Sequence, residues 1–354
     1  MTVYTQMPRP RARKITEKEH FVKKYAAYAI GAALVDTELE VNDEQLAAMQ
    51  VEKGMMTLVD QDRQAELLEH LSDHMVRASH ASGGSAGNSM IATALFGAPT
   101  FMSCKVAEDS DGDIYLADLV ASGVAHSLDG KRGGGTTGKC IVLITPDAER
   151  SLNTYLGVSE TLSVDEVDPE AIADSEWVYL EGYLVTSPTG HAAAVKTREI
   201  AEANGVKTSV SFSDPGMVTH FRDNMASLMG ERVNLVFCNE VEALEWGQTE
   251  SLDSAIEAIK AVADSFVITL GAQGAITFDG EHLERVPAHK VDAINTNGAG
   301  DMFAGAFLYA LSRGENYRRA AEFAVRAAGE VVKYFGPRLS AEGYRQLRTE
   351  FFGD

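Results

Sequence analysis

The sequence predicts an α/β fold, a three-layer sandwich in which helices cover both faces of a mainly parallel central sheet, together with a small β-rich lid. Two observations predict it. Short apolar runs alternate with amphipathic, helix-like segments from Ala26 onward, which is typical of a parallel sheet built from βαβ units. Two stretches, 36–60 and 138–163, contain extended, alternating segments without a crossover helix, and we assign them to the lid.

The elements follow in order along the chain. Residues 28–35 form an unbroken apolar run and are predicted as the first buried strand. Further strands are predicted at 99–106, 177–180, 206–212, 233–237 and 266–270, and a strand or strand end at 291–294. Helices are predicted at 64–75, 89–95, 193–203, 221–229, 251–263 and from Met302 to about Ser312.

Composition and charge limit the function classes. The formal net charge of −21 disfavours nucleic acid or an anionic membrane as the main partner. No apolar run reaches the roughly 18 residues of a membrane span, and we expect no signal peptide. Three widely spaced cysteines fit a reducing, cytoplasmic compartment. We expect a flexible basic extension over 1–25 and one domain over 26–354 that includes the lid; the oligomeric state stays open.

The most informative motif is Asn-Thr-Asn-Gly-Ala-Gly-Asp at 295–301. Gly298, Ala299 and Gly300 let the backbone approach a ligand, and their amides stand at the start of a helix, which favours an anion. Asp301 would repel a phosphate, so its presence suggests a base that touches a nucleophile beside a transferring phosphoryl group. The alternative is a glycine-rich turn with a capping aspartate.

A second glycine-rich segment is a false lead. Residues 133–140 nearly match a Walker A loop, but Cys140 stands where a hydroxyl should bind magnesium. The residues that follow are Ile-Val-Leu-Ile, a strand, whereas a Walker A loop opens a helix. We therefore reject a P-loop nucleotide hydrolase.

Two upstream features suit recognition of hydroxyl groups. Gly83, Gly84 and Asn88 lead into an apolar helix without following a convincing strand, and the asparagine amide can both donate and accept. Asp36 is expected at the end of the first strand, where a carboxylate could accept two hydrogen bonds from a vicinal diol. A helix-start turn and a solvated aspartate are the corresponding alternatives.

Two downstream features suit a nucleotide and its metal. Asn239 and Glu242 follow an apolar run, and the glutamate could hold Mg²⁺ through water; an ordinary helix start is the alternative. Thr269, Gly271 and Gly274 mark another strand end, which suits a nucleotide phosphate or a hairpin turn.

In this order the motifs resemble the ribokinase, or PfkB, superfamily over about residues 26–340. Within it the chain is most similar to adenosine kinases. The segments that carry the likeness are Thr-Gly-Lys-Cys at 137–140, Glu-Gly-Tyr-Leu-Val-Thr-Ser-Pro at 181–188, Ser-Phe-Ser-Asp-Pro at 211–215, Phe-Cys-Asn-Glu-Val-Glu-Ala at 237–243 and Thr-Asn-Gly-Ala-Gly-Asp at 296–301.

The resemblance implies a ribokinase-like fold and a role for each matching residue. The ribose hydroxyls would contact Asp36, Gly83, Gly84 and Asn88. The base would lie among Leu152, Leu156 and Tyr183, with Cys140 nearby, and Arg150 would reach a phosphate when the lid closes. ATP would contact Asn239, Thr269, Gly271, Gly274 and Asn297, Glu242 would orient Mg²⁺ and its waters, and Asp301 would be the base.

The implied activity is ATP-dependent phosphorylation of the 5′-hydroxyl of a purine nucleoside, with adenosine as the expected substrate and AMP as the product. The alternatives are a sugar kinase of the fructokinase or ribokinase type, an inosine or guanosine kinase, and a non-catalytic ligand-binding regulator on the same fold. The family's leading aspartate is Asn295 here and one family asparagine is Ala32. The first change removes a negative charge near the anion loop, so the question of a site for a monovalent cation such as K⁺ stays open. The second change weakens the assignment of the substrate.

Overall fold

The computed structural model describes residues 23–71, 79–128 and 130–353. The predicted basic extension over 1–25 lies outside these residues except for its last three positions. The strands are β1 Tyr25–Ile30, β2 Leu34–Glu40, β3 Met56–Leu58, β4 Ser79–Gly83, β5 Thr100–Ser103, β6 Val124–Ala125, β7 Gly138–Ile144, β8 Arg150–Tyr155, β9 Ser175–Glu181, β10 Lys207–Ser211, β11 Val233–Asn239, β12 Ala263–Thr269, β13 Ala275–Phe278 and β14 Leu283–Val286.

The helices alternate with these strands over most of the chain. They are α1 Asp43–Ala48, α2 Gln61–His70, α3 Ser85–Phe96, α4 Ser110–Ala121, α5 Pro169–Ala173, α6 Pro188–Ala203, α7 Pro215–His220, α8 Arg222–Met229, α9 Glu240–Gly247, α10 Leu252–Lys260, α11 Ala299–Ser312, α12 Tyr317–Val331 and α13 Ala341–Phe352.

The large sheet has the strand order β14-β13-β12-β11-β10-β9-β1-β5-β6. Its pairs from β6 to β12 are parallel, and β13 and β14 add an antiparallel edge. One apolar cluster, which includes Phe307 and Phe323, fills the face covered by α3 and α11 to α13. A second, which includes Phe212 and Trp246, fills the face covered by α6 to α10. The predicted three-layer α/β sandwich with a mainly parallel central sheet is confirmed.

The small sheet has the order β3-β8-β7-β2-β4. The two stretches predicted as lid supply β2, β3, β7 and β8, whereas β4 comes from outside them. The lid sheet packs one apolar side on α1 and α2 through a cluster that includes Leu39 and Leu67. Its other side carries a smaller apolar cluster of Leu34, Cys140 and Val142, with Leu152 and Leu156 beside it.

Three local predictions were wrong. The run 28–35 is two strands in two sheets, because β1 ends at Ile30 and β2 begins at Leu34. The turn between them needs Gly31, since a Cβ there would lie 2.5 Å from the Glu181 carboxyl group. Asp36 consequently lies within β2 instead of at a strand end. Residues 291–294 form no strand; the amide of Ile294 donates to the carbonyl of Val332 at 2.8 Å.

The prediction that no strand precedes Gly84 was also wrong. Residues 79–83 do form a strand, β4, which pairs antiparallel with β2 so that Gly83 lies opposite Leu34. The sequence of β4 lacks the alternation of apolar residues by which a strand is predicted. Two other expectations agree with the structure: Cys104, Cys140 and Cys238 are buried free thiols, and Gly138–Ile144 is a strand. Across the part of the chain that the structure covers, no helix has the length and apolar character of a membrane span.

A glycine pair tests the β12–β13 turn. Gly274 has φ +96°, and a Cβ there would lie 2.0 Å from the Val286 carbonyl oxygen, whereas Gly314 has φ +84° with open space around it. Gly274→Ala should therefore lower the free energy of unfolding by about 1–3 kcal/mol more than Gly314→Ala, on the scale of overpacking. Urea denaturation of both variants measures this. Equal losses would show that positive φ alone, and not the contact with β14, requires Gly274.

Candidate active site

A cavity of about 260 Å³ lies where the lid sheet faces the carboxyl ends of the parallel strands. The last residues of β9, β10, β11 and β12 all line it, as expected for ligand sites in open α/β sheets. The predicted site residues that it brings together are Asp36, Gly84, Asn88, Cys140, Arg150, Leu152, Leu156, Tyr183, Asn239, Glu242, Thr269, Asn297, Gly298, Ala299, Gly300 and Asp301.

Asp301 lies in the first turn of α11 and faces this cavity. Its Oδ1 accepts a hydrogen bond from Ser85 Oγ at 2.6 Å, and its Oδ2 accepts one from Asn88 Nδ2 at 3.0 Å. Burial raises the pKa of Asp301 above the ordinary value, and the two donors oppose that shift. Both donors come from α3, so the contact between two helices fixes the direction of the carboxylate.

The anion loop, residues 296–300, leads into α11 and includes its first two residues. Gly298 is the helix N-cap with φ +74° and offers no side-chain cap. Within the described ranges, the amides of Gly300 and Asp301 have no backbone acceptor; the first α11 hydrogen bond runs from the Met302 amide to the Gly298 carbonyl at 2.8 Å. Free amides at the positive end of a helix dipole can hold a developing negative charge.

Arg338 belongs to none of the predicted motifs, yet it contacts the site. It lies between α12 and α13, and its Nη2 donates to the Asn88 Oδ1 at 3.0 Å while Nη1 pairs with Asp118 Oδ2 at 2.5 Å. Since the Asn88 oxygen is held by Arg338, its amide nitrogen must face Asp301. Asn88, predicted to bind a ribose hydroxyl, thus already orients the candidate base. No motif signalled this, because the arginine lies 250 positions from Asn88.

Glu181, at the end of β9, is a second missed residue. Its side chain is 1% exposed and accepts hydrogen bonds from the amides of Ala32 and Ala86, both at 2.8 Å. Burial raises its pKa to about 7, although those two amides favour the charged form. Glu181 ties the β1–β2 turn to the start of α3. It stood within the 181–188 segment, so its position after an apolar strand could have flagged it.

The lid contributes an apolar surface and one cation. Leu152 and Leu156 line the cavity from the lid, and Tyr183 lines it from the segment after β9, with its hydroxyl donating to the Ser213 carbonyl at 3.2 Å. Arg150, at the start of β8, also lines the cavity. Its guanidinium forms no ion pair or hydrogen bond within the described part of the chain, so it is available to an anion.

Asn239 and Glu242 form a capping box at the start of α9. The Asn239 side chain accepts from the Glu242 amide at 2.8 Å, and the Glu242 carboxylate accepts from the Asn239 amide at 2.9 Å and from its Nδ2 at 2.8 Å. Burial raises the pKa of Glu242 to about 7. The helix-start alternative is therefore realised, and the same two residues also line the cavity.

Three predicted glycines do not line the cavity. Gly83 packs against Asp36, since a Cβ there would lie 2.1 Å from the carboxyl group. Gly271 begins the turn between β12 and β13, and Gly274 ends it. The hairpin alternative is thus realised for these last two residues, and their contact with ATP stays a prediction.

Asp36 makes the free energy of unfolding of the ligand-free protein depend on pH. Burial and the neighbouring Glu38 charge raise its pKa from the ordinary 3.8 to about 7. The folded protein therefore binds this proton more tightly than the unfolded chain, so the stabilisation is complete below the unfolded pKa and is lost as the pH rises through 7. Asp36→Asn should flatten the decline of the unfolding free energy between pH 4 and pH 7, measured by urea denaturation.

The control for this prediction is Asp62→Asn, which removes a carboxylate from an exposed position on α2. That variant should keep the wild-type pH dependence. An Asp36→Asn variant whose stability declines as steeply as that of the wild type would contradict the assigned pKa shift.

Comparison with known proteins gives a consistent result. A family model described as pfkB family carbohydrate kinase matches residues 16–342. The crystal structure of a probable sugar kinase from Rhizobium etli is 33% identical with a TM-score of 0.85, and covers 92% of this chain and 98% of its own. That of adenosine kinase from Sinorhizobium meliloti is 34% identical with a TM-score of 0.84, over 91% and 99% of the two chains. A ribokinase from Staphylococcus aureus is 28% identical over 277 residues, 75% of this chain and 87% of its own.

Proposed function

Because the chain belongs to the pfkB family of carbohydrate kinases and is therefore a phosphotransferase that acts on hydroxyl groups, we propose that it transfers the γ-phosphoryl group of ATP to the 5′-hydroxyl of a purine nucleoside, with adenosine preferred. The observation that carries this proposal is the placement of Asp301. Its carboxylate stands beside the free amides of the anion loop and faces a cavity with an apolar lid.

The proposed reaction uses few groups. The 5′-oxygen attacks the γ-phosphorus of ATP and the bond to the β-phosphate oxygen breaks, so that AMP and ADP result. The proton of the hydroxyl passes to Asp301. Because the transition state of phosphoryl transfer is loose, positioning and charge stabilisation matter more than a strong base. The amides of Gly300 and Asp301 would hold the charge of the transferring group, and Arg150 would add a cation from the lid.

The residues present fit a magnesium ion bound with the nucleotide. In residues 23–71, 79–128 and 130–353 no group of three or more His, Cys, Asp or Glu side chains could hold a metal. Glu242 would therefore act with waters and phosphate oxygens, which is how Mg²⁺ is often bound. When bound, Mg²⁺ neutralises charge on the donor phosphates.

The apolar lid favours a nucleoside over a free sugar. Leu34, Met56, Leu152 and Leu156 line the cavity from the lid strands or their ends, and such side chains suit the flat face of a base. They would gain little from fructose or ribose, whose surface is mostly hydroxyl groups. Ser211, at the end of β10, and Ser213 line the same cavity, and their hydroxyl groups can accommodate the ring nitrogens.

A coupled assay of ADP formation tests the proposal. Adenosine, inosine, guanosine, ribose and fructose are compared as acceptors at fixed ATP and Mg²⁺. We expect adenosine to give the highest kcat/KM. A higher value for inosine or guanosine would change the nucleoside, and a higher value for a sugar would replace the proposal with a sugar kinase. The absence of ADP formation with every acceptor would favour a non-catalytic regulator.

Asp301→Asn tests the base. The amide keeps the shape of the side chain but cannot take up the proton, so we expect kcat to fall by roughly 10²-fold or more. The control is Asp253→Asn on the exposed side of α10, which should retain wild-type kcat. Thermal denaturation of both variants checks folding, and a folded Asp301→Asn variant with near-wild-type kcat would reject the assigned role.

The two loop glycines should behave differently when replaced. A Cβ at Gly300 meets nothing within 4 Å, whereas one at Gly298 would lie 2.5 Å from Pro337. Gly300→Ala should therefore keep the wild-type melting temperature but lose about 10²–10³-fold in kcat, the scale of one lost anion-hole donor. Gly298→Ala should lose both stability and activity. If Gly300→Ala kept full activity, the added methyl group would not reach the phosphoryl position, and the anion hole would be wrongly placed.

A further inference from the structure

Glu38 is a buried carboxylate on the lid strand β2, two residues after Asp36. Its side chain is 3% exposed. It does not line the cavity, and none of the ion pairs formed among residues 23–71, 79–128 and 130–353 includes it. Burying a carboxylate without a cation is costly unless hydrogen-bond donors surround it. Its partners therefore indicate what the residue is for.

Three donors converge on Glu38, and all come from segments far along the chain. Its Oε1 accepts from Asn297 Nδ2 at 2.8 Å. Its Oε2 accepts from the Gly336 amide at 2.7 Å and from Asn295 Nδ2 at 3.2 Å. In addition, Asn295 Oδ1 accepts from the Asn297 amide at 2.8 Å. One lid residue thus holds Asn295 just before the anion loop, Asn297 within it and the segment after α12.

This arrangement accounts for Asn295. The sequence indicates that a negative charge near the anion loop is lost at this position, but Glu38 supplies one from the lid. An aspartate at 295 would place a second carboxylate against Glu38 in a buried setting, where like charges repel strongly. An asparagine can instead donate to Glu38 and still accept from the Asn297 amide. The residues at 38 and 295 therefore depend on each other.

We propose that Glu38 is a positioning residue: by accepting from Asn295 and Asn297 it fixes the anion loop for phosphoryl transfer and joins the lid strand to that loop. The proposal rests on the proposed kinase function for its kinetic part. Glu38 does not touch the reacting atoms, so its effect should appear in the chemical step. Loss of Glu38 should lower kcat much more than it changes the KM of the nucleoside.

A mutant cycle tests the proposal. Glu38→Gln removes the charge and turns one acceptor into a donor that faces the Asn295 amide. Asn295→Asp places two carboxylates together. In the double variant Glu38→Gln/Asn295→Asp, the glutamine NH2 group at the Oε2 position can donate to the aspartate, while its oxygen at the Oε1 position still accepts from Asn297. The Gly336 amide, which also donates to Oε2, loses its acceptor. The matched control is Glu52→Gln, which removes the same charge from an exposed position in the same lid stretch.

We expect both single variants to lose kcat by about 10²-fold, the scale of one anion-hole donor, with nucleoside KM changed by less than about threefold. The double variant should recover at least about tenfold over Asn295→Asp, because residues in direct contact couple. The same coupling should appear in the urea concentration at the midpoint of unfolding. Glu52→Gln should match the wild type in both measurements.

Two results would overturn the proposal. One is a double variant no better than Asn295→Asp in either measurement. The other is a folded Glu38→Gln variant with wild-type kcat. If Glu38→Gln does not fold, Glu38→Asp keeps the charge with a shorter reach and should show the same loss of kcat with little change in KM. If the wild type is inactive with every acceptor but the substitutions at 38 and 295 are coupled in the urea midpoints, the kinase reaction is rejected and the contact is not. If the wild type is active and the two substitutions show no coupling, only the role of Glu38 is rejected.

Discussion

The close approach of α3 and α11 governs the geometry of the candidate site. It is possible because Gly305 has no side chain: a Cβ there would lie 2.5 Å from the Ser89 carbonyl oxygen and 2.7 Å from the Ala92 Cβ. At this separation, Ser85 and Asn88 at the start of α3 reach Asp301 at the start of α11. The two N-termini therefore face the same cavity. If α3 and α11 were farther apart, the Asp301 carboxylate would lose its two donors. The free amides at the start of α11 would then lie at a different position in the cavity.

Burial of carboxylates is the second constraint on this region. Asp36, Glu38, Glu181 and Glu242 are each at most 5% exposed, in a chain whose net charge is already −21. Backbone and amide N–H groups, more than cations, hold three of these four in place. Because each such N–H belongs to a different turn or helix start, satisfying the carboxylates also fixes the turns that surround the cavity.

The sequence was sufficient for the class of fold, and most of the site residues predicted from it line one cavity, since strand-end and helix-start motifs lie where their periodic neighbours place them. It failed where local pattern carries no information. The apolar run 28–35 gives no sign that it changes sheets at Gly31, because both halves are buried. The polar strand β4 has no apolar alternation, so only its pairing with β2 identifies it.

Long-range polar contacts were the other limit of prediction. Glu38 and Asn297 are 259 positions apart, and Arg338 and Asn88 are 250 apart. Each residue taken alone resembles an ordinary polar or charged surface residue. Only the folded arrangement shows that the Asn297 side chain, predicted to contact ATP, is held by Glu38. The departure at Asn295 could be noticed in the sequence, but its partner could not be deduced there.

The carboxyl groups whose pKa values lie near 7 have a thermodynamic consequence for ligand binding. Asp36, Glu181 and Glu242 would each be partly protonated in neutral solution. A cation that approaches Glu242, or a hydroxyl that donates to Asp36, favours the ionised form and so expels a proton. Binding should therefore release protons to the buffer. The calorimetric heat of association would then vary with the ionisation enthalpy of the buffer, which makes these buried acids visible without any chemical turnover.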